Sequence, residues 1–241
     1  MELSFNKPYE VLSANKLKLI ALISMTIDHI GLLFFPYTII FRILGRFAFP
    51  IFAYFIAVGC YYTHNKLKHL LHLLLPATVF QIVYSFTPGI FVISIFGTFT
   101  VSALLIYLID YYKVIKNASN NMIKFLYVIM LSVLFILIFA LTRFITFDYG
   151  FIGIITPVIL YFIKNKNLKL LALSGCLILI TLSLYETYYF MFLANCFNLI
   201  SIPVLALYNG KKGNMNLKYL FYIYYPLHLI VLYGLYFILT L

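Results

Sequence analysis

Charge is scarce in this chain. Only 10% of its 241 residues are Asp, Glu, Lys or Arg, and 65% are hydrophobic; soluble domains carry roughly 25% charged residues. Apolar runs near membrane-spanning length recur from end to end, so no stretch is left over for a soluble domain. Acids are the scarcest charges, 6 against 17 basic residues. The resulting net charge of +11 does not imply a nucleic-acid partner, because the lysines fall in short runs between apolar stretches, as in cytoplasmic loops. Tryptophan is absent, and the 22 tyrosines take the interfacial role it often shares. Cysteine is limited to Cys60, Cys176 and Cys196, isolated and without C-x-x-C spacing. They read as small packing residues, not as a disulfide framework or metal ligands. G-x-S-x-G, H-E-x-x-H and nucleotide fingerprints are all missing. No internal repeat or interdomain linker is visible, so residues 1–241 read as a single domain. A cleavable signal is not expected: the first apolar run starts near Leu17, lacks a small-x-small site and carries an Asp-His pair.

What is present is an all-α, polytopic bundle of about nine spans, at 17–35, 39–62, 67–86, 90–112, 122–142, 149–163, 168–184, 188–207 and 217–241. The sixth is short for a full crossing, so both a re-entrant and a thin span are open. Pro36, Thr87-Pro88-Gly89, 117–121, 164–167 and 209–216 are turn or loop material. Lys7, Lys16, Lys18, Lys66, Lys68, Lys113, Lys116, Lys124, Lys164, Lys166, Lys169, Lys211, Lys212 and Lys218 fall on one side. Arg42, Arg46 and Arg143 fall toward the other, where the acids Asp148 and Glu186 also lie. The basic side is read as cytoplasmic, which places the N-terminus inside and the C-terminus outside. The expected location is the cell membrane, crossed many times.

Asp28, His29, Arg42 and Arg46 sit within one apolar hairpin, 25–62. An ionisable group at mid-membrane costs about 3 kcal/mol or more, and such groups commonly mark functional sites. Counted from Pro36, His29 and the two arginines lie at similar depth, about 10–15 Å from the turn. His228, in the last span, reaches a comparable depth from the cytoplasmic end, so convergence with His29 is expected. His29 reads as a general base. Asp28 either orients it or pairs with Arg42 or Arg46, since helix neighbours point about 100° apart. The arginines either stabilise an oxyanion, bind an anion, neutralise Asp28 or snorkel outward. A buried ion network that only fixes helix packing is the plainer alternative.

Further candidates follow along the chain. Tyr208-Asn209-Gly210-Lys211-Lys212-Gly213 is a short basic loop suited to phosphate groups, or simply a positive-inside loop; it is not a P-loop. Tyr225 and His228 share a face of the last helix beside Pro226, as an acyl-carrier contact, a proton relay or an aromatic layer. His64, His69 and His72 flank Lys66 and Lys68 and read as an interfacial edge without a third metal ligand. Arg143, Asp148 and Tyr149 lie at an outer turn, either lining an acceptor entrance or pairing with one another.

At these residues the chain resembles the TraX family, named for the F-pilin acetylase. The matching stretches are Leu17-Lys18-Leu19-Ile20-Ala21-Leu22, Met25-Thr26-Ile27-Asp28-His29-Ile30-Gly31 and Arg42-Ile43-Leu44-Gly45-Arg46-Phe47-Ala48-Phe49-Pro50. Asp148-Tyr149-Gly150, the loop 208–213, and Lys218 through Tyr225-Pro226 and His228-Leu229 follow in order. Val58-Gly59 stands where family members often carry an acid. The resemblance implies an integral membrane acyltransferase using acetyl-CoA as donor and no metal. It implies His29 as the catalytic histidine beside Asp28, with the basic motif on Arg42 and Arg46. Lys211, Lys212, Tyr225 and His228 are the expected donor contacts. The expected partners are the lipid bilayer, acetyl-CoA and an extracytoplasmic acceptor, with a homodimer as the oligomer to test. A transporter or proton-coupled channel that uses the Asp28/His29/Arg42/Arg46 cluster as a relay is the alternative from another class. The missing inverted repeat counts against it. A scaffold without chemistry has no positive support in the residues.

Overall fold

A computed structural model describes residues 8–85, 92–117, 120–185, 189–214 and 217–240. Lys7, the turn Thr87-Pro88-Gly89, Glu186 and parts of the loops 117–121 and 209–216 lie outside the described residues, as do the side chains of Lys218 and Tyr222. The chain is helical almost throughout. Its helices are α1 (Ala14–Phe34), α2 (Ile39–Gly45), α3 (Ala48–Tyr62), α4 (Lys66–Ser85), α5 (Ile95–Lys116), α6 (Asn121–Phe144), α7 (Gly150–Phe162), α8 (Lys166–Ser183), α9 (Tyr189–Asn195), α10 (Ser201–Ala206) and α11 (Lys218–Thr240). Two-residue strands β1 (Val92–Ile93) and β2 (Thr146–Phe147) pair in parallel. Hydrocarbon offers the backbone no hydrogen bonds, so spanning segments must satisfy their own, which helices do. Among the described residues, six segments are long and apolar enough to cross a membrane: α1, Ile39–Tyr62, α5, α6, α8 and Tyr189–Ala206. The helix α7 and the stretch Ile223–Leu239 of α11 are shorter and apolar. The protein is an integral membrane protein.

Among its described residues, the expected run 90–112 opens on β1 and is helical only from Ile95. Two further runs are broken within, each ahead of a proline. The run 39–62 is not one helix but α2 and α3, broken at Arg46-Phe47. Pro50 has no amide to donate to the Arg46 carbonyl four residues back, and its ring crowds that carbonyl. The Arg46 amide instead closes a tighter turn onto the Ile43 carbonyl at 3.1 Å. Likewise Pro203 stands four residues after Leu199, and Cys196–Ile200 is a 3-10 turn between α9 and α10.

The chain divides into two compact units. One comprises Met1–Phe55 and Phe162–Leu241; the other is Ile56–Tyr161. In the first, α1 packs on α2 and α11, α2 on α9, and α8 on α9 and α10. Ser13 caps α1 by accepting from the Lys16 amide, and Asn165 caps α8 by accepting from Asn167 and Leu168. In the second unit, α4 packs on α5 and α5 on α6. Ser102 ties α5 to α7 by donating to the Ile154 carbonyl at 2.7 Å. No residue of α6 is buried in the protein. A helix apolar on all sides with no buried face is one that meets lipid.

Candidate functional site at the junction of α1, α2 and α11

The first two helices approach closely because small residues stand where they touch. A Cβ on Gly45 would run into the Asp28 carboxylate, and one on Gly31 would run into Phe41. Ser24 donates to the Leu44 carbonyl across the same seam. Asp28 is thereby pressed against α2 and takes both arginines. Arg42 Nη1 donates to Oδ2 at 2.8 Å, and Arg46 Nη2 to Oδ1 at 2.9 Å. Arg42 Nη1 also reaches the Asp28 carbonyl at 3.3 Å, and Arg46 Nε donates to the Arg42 carbonyl at 2.9 Å. One carboxylate against two guanidiniums leaves the cluster with one net positive charge. Arg46 is 4% exposed, so it does not snorkel. Arg42 Nη2 points to Met191 Sδ of α9 at 3.5 Å, a weak acceptor.

His29 turns the other way, toward α11. Its Nδ1 lies 2.9 Å from the Met25 carbonyl and 3.3 Å from Nε2 of His228. Nδ1 of His228 lies 3.0 Å from the Tyr224 carbonyl. A carbonyl can only accept, so each Nδ1 carries a proton and each ring is held as the Nδ1–H tautomer. His228 Nε2 is then an acceptor for the His29 Nδ1–H, which it shares with the Met25 carbonyl. Among the described residues nothing hydrogen-bonds Nε2 of His29, and its lone pair is the basic position of the site. The two rings meet edge-on at 5.1 Å. Tyr224 stacks on His228 at 5.4 Å, and Tyr225, also buried, meets it edge-on at 5.5 Å. Thr26 Oγ1 donates to the Leu22 carbonyl at 2.9 Å, so it is the Tyr224 hydroxyl that donates to Thr26, also at 2.9 Å. The charges of Asp28, Arg42 and Arg46 all act on the His29 imidazole.

The other end of α1 meets the basic loop. The Ala14 and Asn15 amides, which a helix N-terminus leaves without partners, donate to the Lys211 and Lys212 carbonyls at 2.9 and 3.1 Å. Gly210 and Gly213 turn with φ of 75° and 93°, where a side chain is strained. Lys211 and Lys212 are exposed. Lys18 Nζ lies 5.2 Å from the Phe55 ring centroid and 5.4 Å from that of Phe221, and Lys212 is its charged neighbour. Lys18 and His29 are three helical turns apart on one stripe of α1, about 16 Å at 1.5 Å per residue. Lys211 and Lys212 are thus at one end of the α1–α11 seam, and Tyr225 and His228 are further along it.

Arg143, Asp148 and Tyr149 belong to the second unit. Arg143 lies over the Phe139 ring. The Asp148 amide donates to the Ile93 carbonyl at 3.0 Å, and its carbonyl accepts from Thr98 Oγ1 at 3.2 Å. Tyr149 has φ of 61°, an uncommon value for a non-glycine residue. In the same unit, His69 Nδ1 is 2.6 Å from the Tyr107 hydroxyl, and His72 Nδ1 faces the Lys68 carbonyl.

Sequence reasoning left out Thr26, Tyr224, Met191 and Lys18 as members of the site. Lys18 carried a usable signal, the spacing of three turns from His29. The other three reveal themselves only when distant helices are packed.

No solved structure matches the chain. A probable fimbrial assembly protein, FimC of serogroup H1, from Dichelobacter nodosus is 28% identical over 237 residues, covering 91% of this chain and 94% of that protein. An uncharacterized protein of Rickettsia prowazekii is 31% identical over 180 residues, covering 73% of this chain and 65% of that protein's length. The family model described as TraX protein matches residues 13–236, nearly the whole chain. This chain belongs to the TraX family.

Proposed function

We propose that this protein is a cell-membrane acetyltransferase that moves an acetyl group from cytoplasmic acetyl-CoA to a hydroxyl or amine on the opposite face. In this reading the chain works as one domain of about nine spans with a cytoplasmic N-terminus. The observation that carries it is the setting of His29: Nδ1 faces the Met25 carbonyl and His228 Nε2, which leaves Nε2 as the base, beside a part-buried cluster of net positive charge.

His29 Nε2 removes the proton from the acceptor as its oxygen or nitrogen attacks the thioester carbonyl. The imidazolium that forms is stabilised through Nδ1–H by His228. Arg42 gives up its weak contact with Met191 and donates to the developing oxyanion, while Asp28 fixes both guanidiniums. The C–S bond then breaks, and the CoA thiolate leaves with the proton from His29. Lys211, Lys212 and Lys18 hold the donor's phosphates, and the pantetheine arm follows the α1–α11 seam past Tyr225 to the histidines. Membership of the TraX family, and likeness to a probable fimbrial assembly protein, support a secreted protein subunit as one acceptor. Surface polymers and glycans offer the same hydroxyl chemistry.

The test is a thermal-shift titration with acetyl-CoA on the full-length protein in nanodiscs, paired with detection of released CoA thiol. Stabilisation by acetyl-CoA and slow thiol release are expected. A folded protein that shows neither contradicts the reading and directs attention to proton and solute flux in liposomes.

A further inference from the structure

A buried ion pair lies outside the chemistry described so far. Lys166, the first residue of α8, is 8% exposed at its side chain, and its partner Glu10 is 4% exposed. Charges taken out of water persist only where partners satisfy them fully. An ammonium has three protons, and Lys166 Nζ has three acceptors: Glu10 Oε1 at 2.7 Å and the Ala206 and Tyr208 carbonyls at 2.8 Å each. The two carbonyls lie at and just past the end of α10, where helical carbonyls lack partners and the dipole is negative. One cation therefore joins the segment before α1, the start of α8, and the start of loop 208–213.

Beyond that anchor the loop is laced to the same N-terminal segment. The Leu12 amide donates to the Leu207 carbonyl at 2.9 Å, and the Asn209 amide to the Leu12 carbonyl at 2.9 Å. The bonds from Ala14 and Asn15 follow, and Gly213 closes against Ser13. The Lys211 and Lys212 carbonyls are thus turned to α1 while their side chains stand exposed.

We propose that Glu10 and Lys166 form a positioning latch for loop 208–213, holding Lys211 and Lys212 where they grip the phosphate groups of the acyl donor. The proposal rests on the donor reading above. Lys166 does not itself touch the ligand, since its three protons are engaged by the protein.

The experiment compares the full-length protein in phosphatidylcholine nanodiscs with Lys166→Met, Glu10→Gln and the double variant. Two readouts are taken, amide hydrogen exchange and CoA binding. Lys166→Met is expected to speed exchange at 207–213 and leave the hairpin 25–45 unchanged. Its Kd for CoA should rise roughly tenfold, the scale of losing a supporting contact behind a ligand-binding group. Glu10→Gln should do the same more weakly, and the double variant should be no worse than Lys166→Met. Unchanged exchange at 207–213 overturns the latch. Faster exchange with unchanged CoA affinity overturns its part in donor binding. If the wild type binds no CoA, the donor reading fails by itself, and inorganic pyrophosphate becomes the probe. Pyrophosphate binding that depends on Lys166 then upholds the latch, and binding that is independent of Lys166, or missing, overturns it.

Discussion

Nε2 of His228 lies 3.3 Å from Nδ1 of His29, across 199 positions of sequence. Both rings present Nδ1–H to the carbonyl four residues earlier on their own helices. His228 is thus placed as an acceptor behind His29, in the position an acid occupies in many catalytic triads. Replacing His228 with Phe keeps an aromatic ring against Tyr224 and removes the acceptor. The expected result is a fall in kcat of about 10- to 100-fold with little change in KM for acetyl-CoA. Steady-state kinetics on the variant check this. A change confined to KM would place His228 in donor binding alone.

Asp28 carries two guanidiniums, so losing its charge is worse than losing either arginine. Asp28→Asn removes the carboxylate that both guanidiniums share, one of them on the buried Arg46, and should destabilise the protein by about 3 kcal/mol. Arg46→Met leaves Asp28 with Arg42 and should cost less. Thermal unfolding of the two variants in one detergent gives the order directly.

Gly45 and Gly175 are both helical and should respond in opposite directions. A Cβ at Gly45 meets the Asp28 carboxylate, whereas one at Gly175 meets nothing within 4 Å. Gly45→Ala should cost about 1–3 kcal/mol through overpacking. Gly175→Ala should be neutral or gain up to about 1 kcal/mol from helix propensity. Unfolding temperatures of the two single variants decide it.

Lys18 sits between the Phe55 and Phe221 rings with Lys212 as its charged neighbour. Lys18→Gln should raise KM for acetyl-CoA about tenfold and leave kcat nearly unchanged, since the loss falls on binding and not on the reacting atoms. Acetyl-pantetheine, which lacks the phosphates, should be used equally by the variant and the wild type. Equal losses on both substrates would count against a phosphate contact.

The hairpin charges were legible in the sequence because lipid makes such residues rare. Helical rise also put His29 and His228 at one depth. The break at Arg46 was not read, although Pro50 carried the signal, because a run of apolar residues looks continuous across it. The same holds for Pro203 in the eighth run. Asp28 could be assigned to the arginines or to His29 until helix packing set its direction, and Gly45 is the residue that lets α2 come close enough. The contacts of Lys166 with Glu10 and of Tyr224 with Thr26 join residues 156 and 198 positions apart, so no local pattern announces them.

The central claim is that His29 Nε2 is the base for acetyl transfer. The most direct measurement is CoA-thiol release from acetyl-CoA by full-length protein in nanodiscs, wild type against His29→Gln, with CoA affinity measured on the same samples. The account predicts unchanged CoA affinity and a loss of turnover of about 100-fold or more in His29→Gln, the scale of removing a general base. Turnover that survives in a folded His29→Gln variant would contradict it.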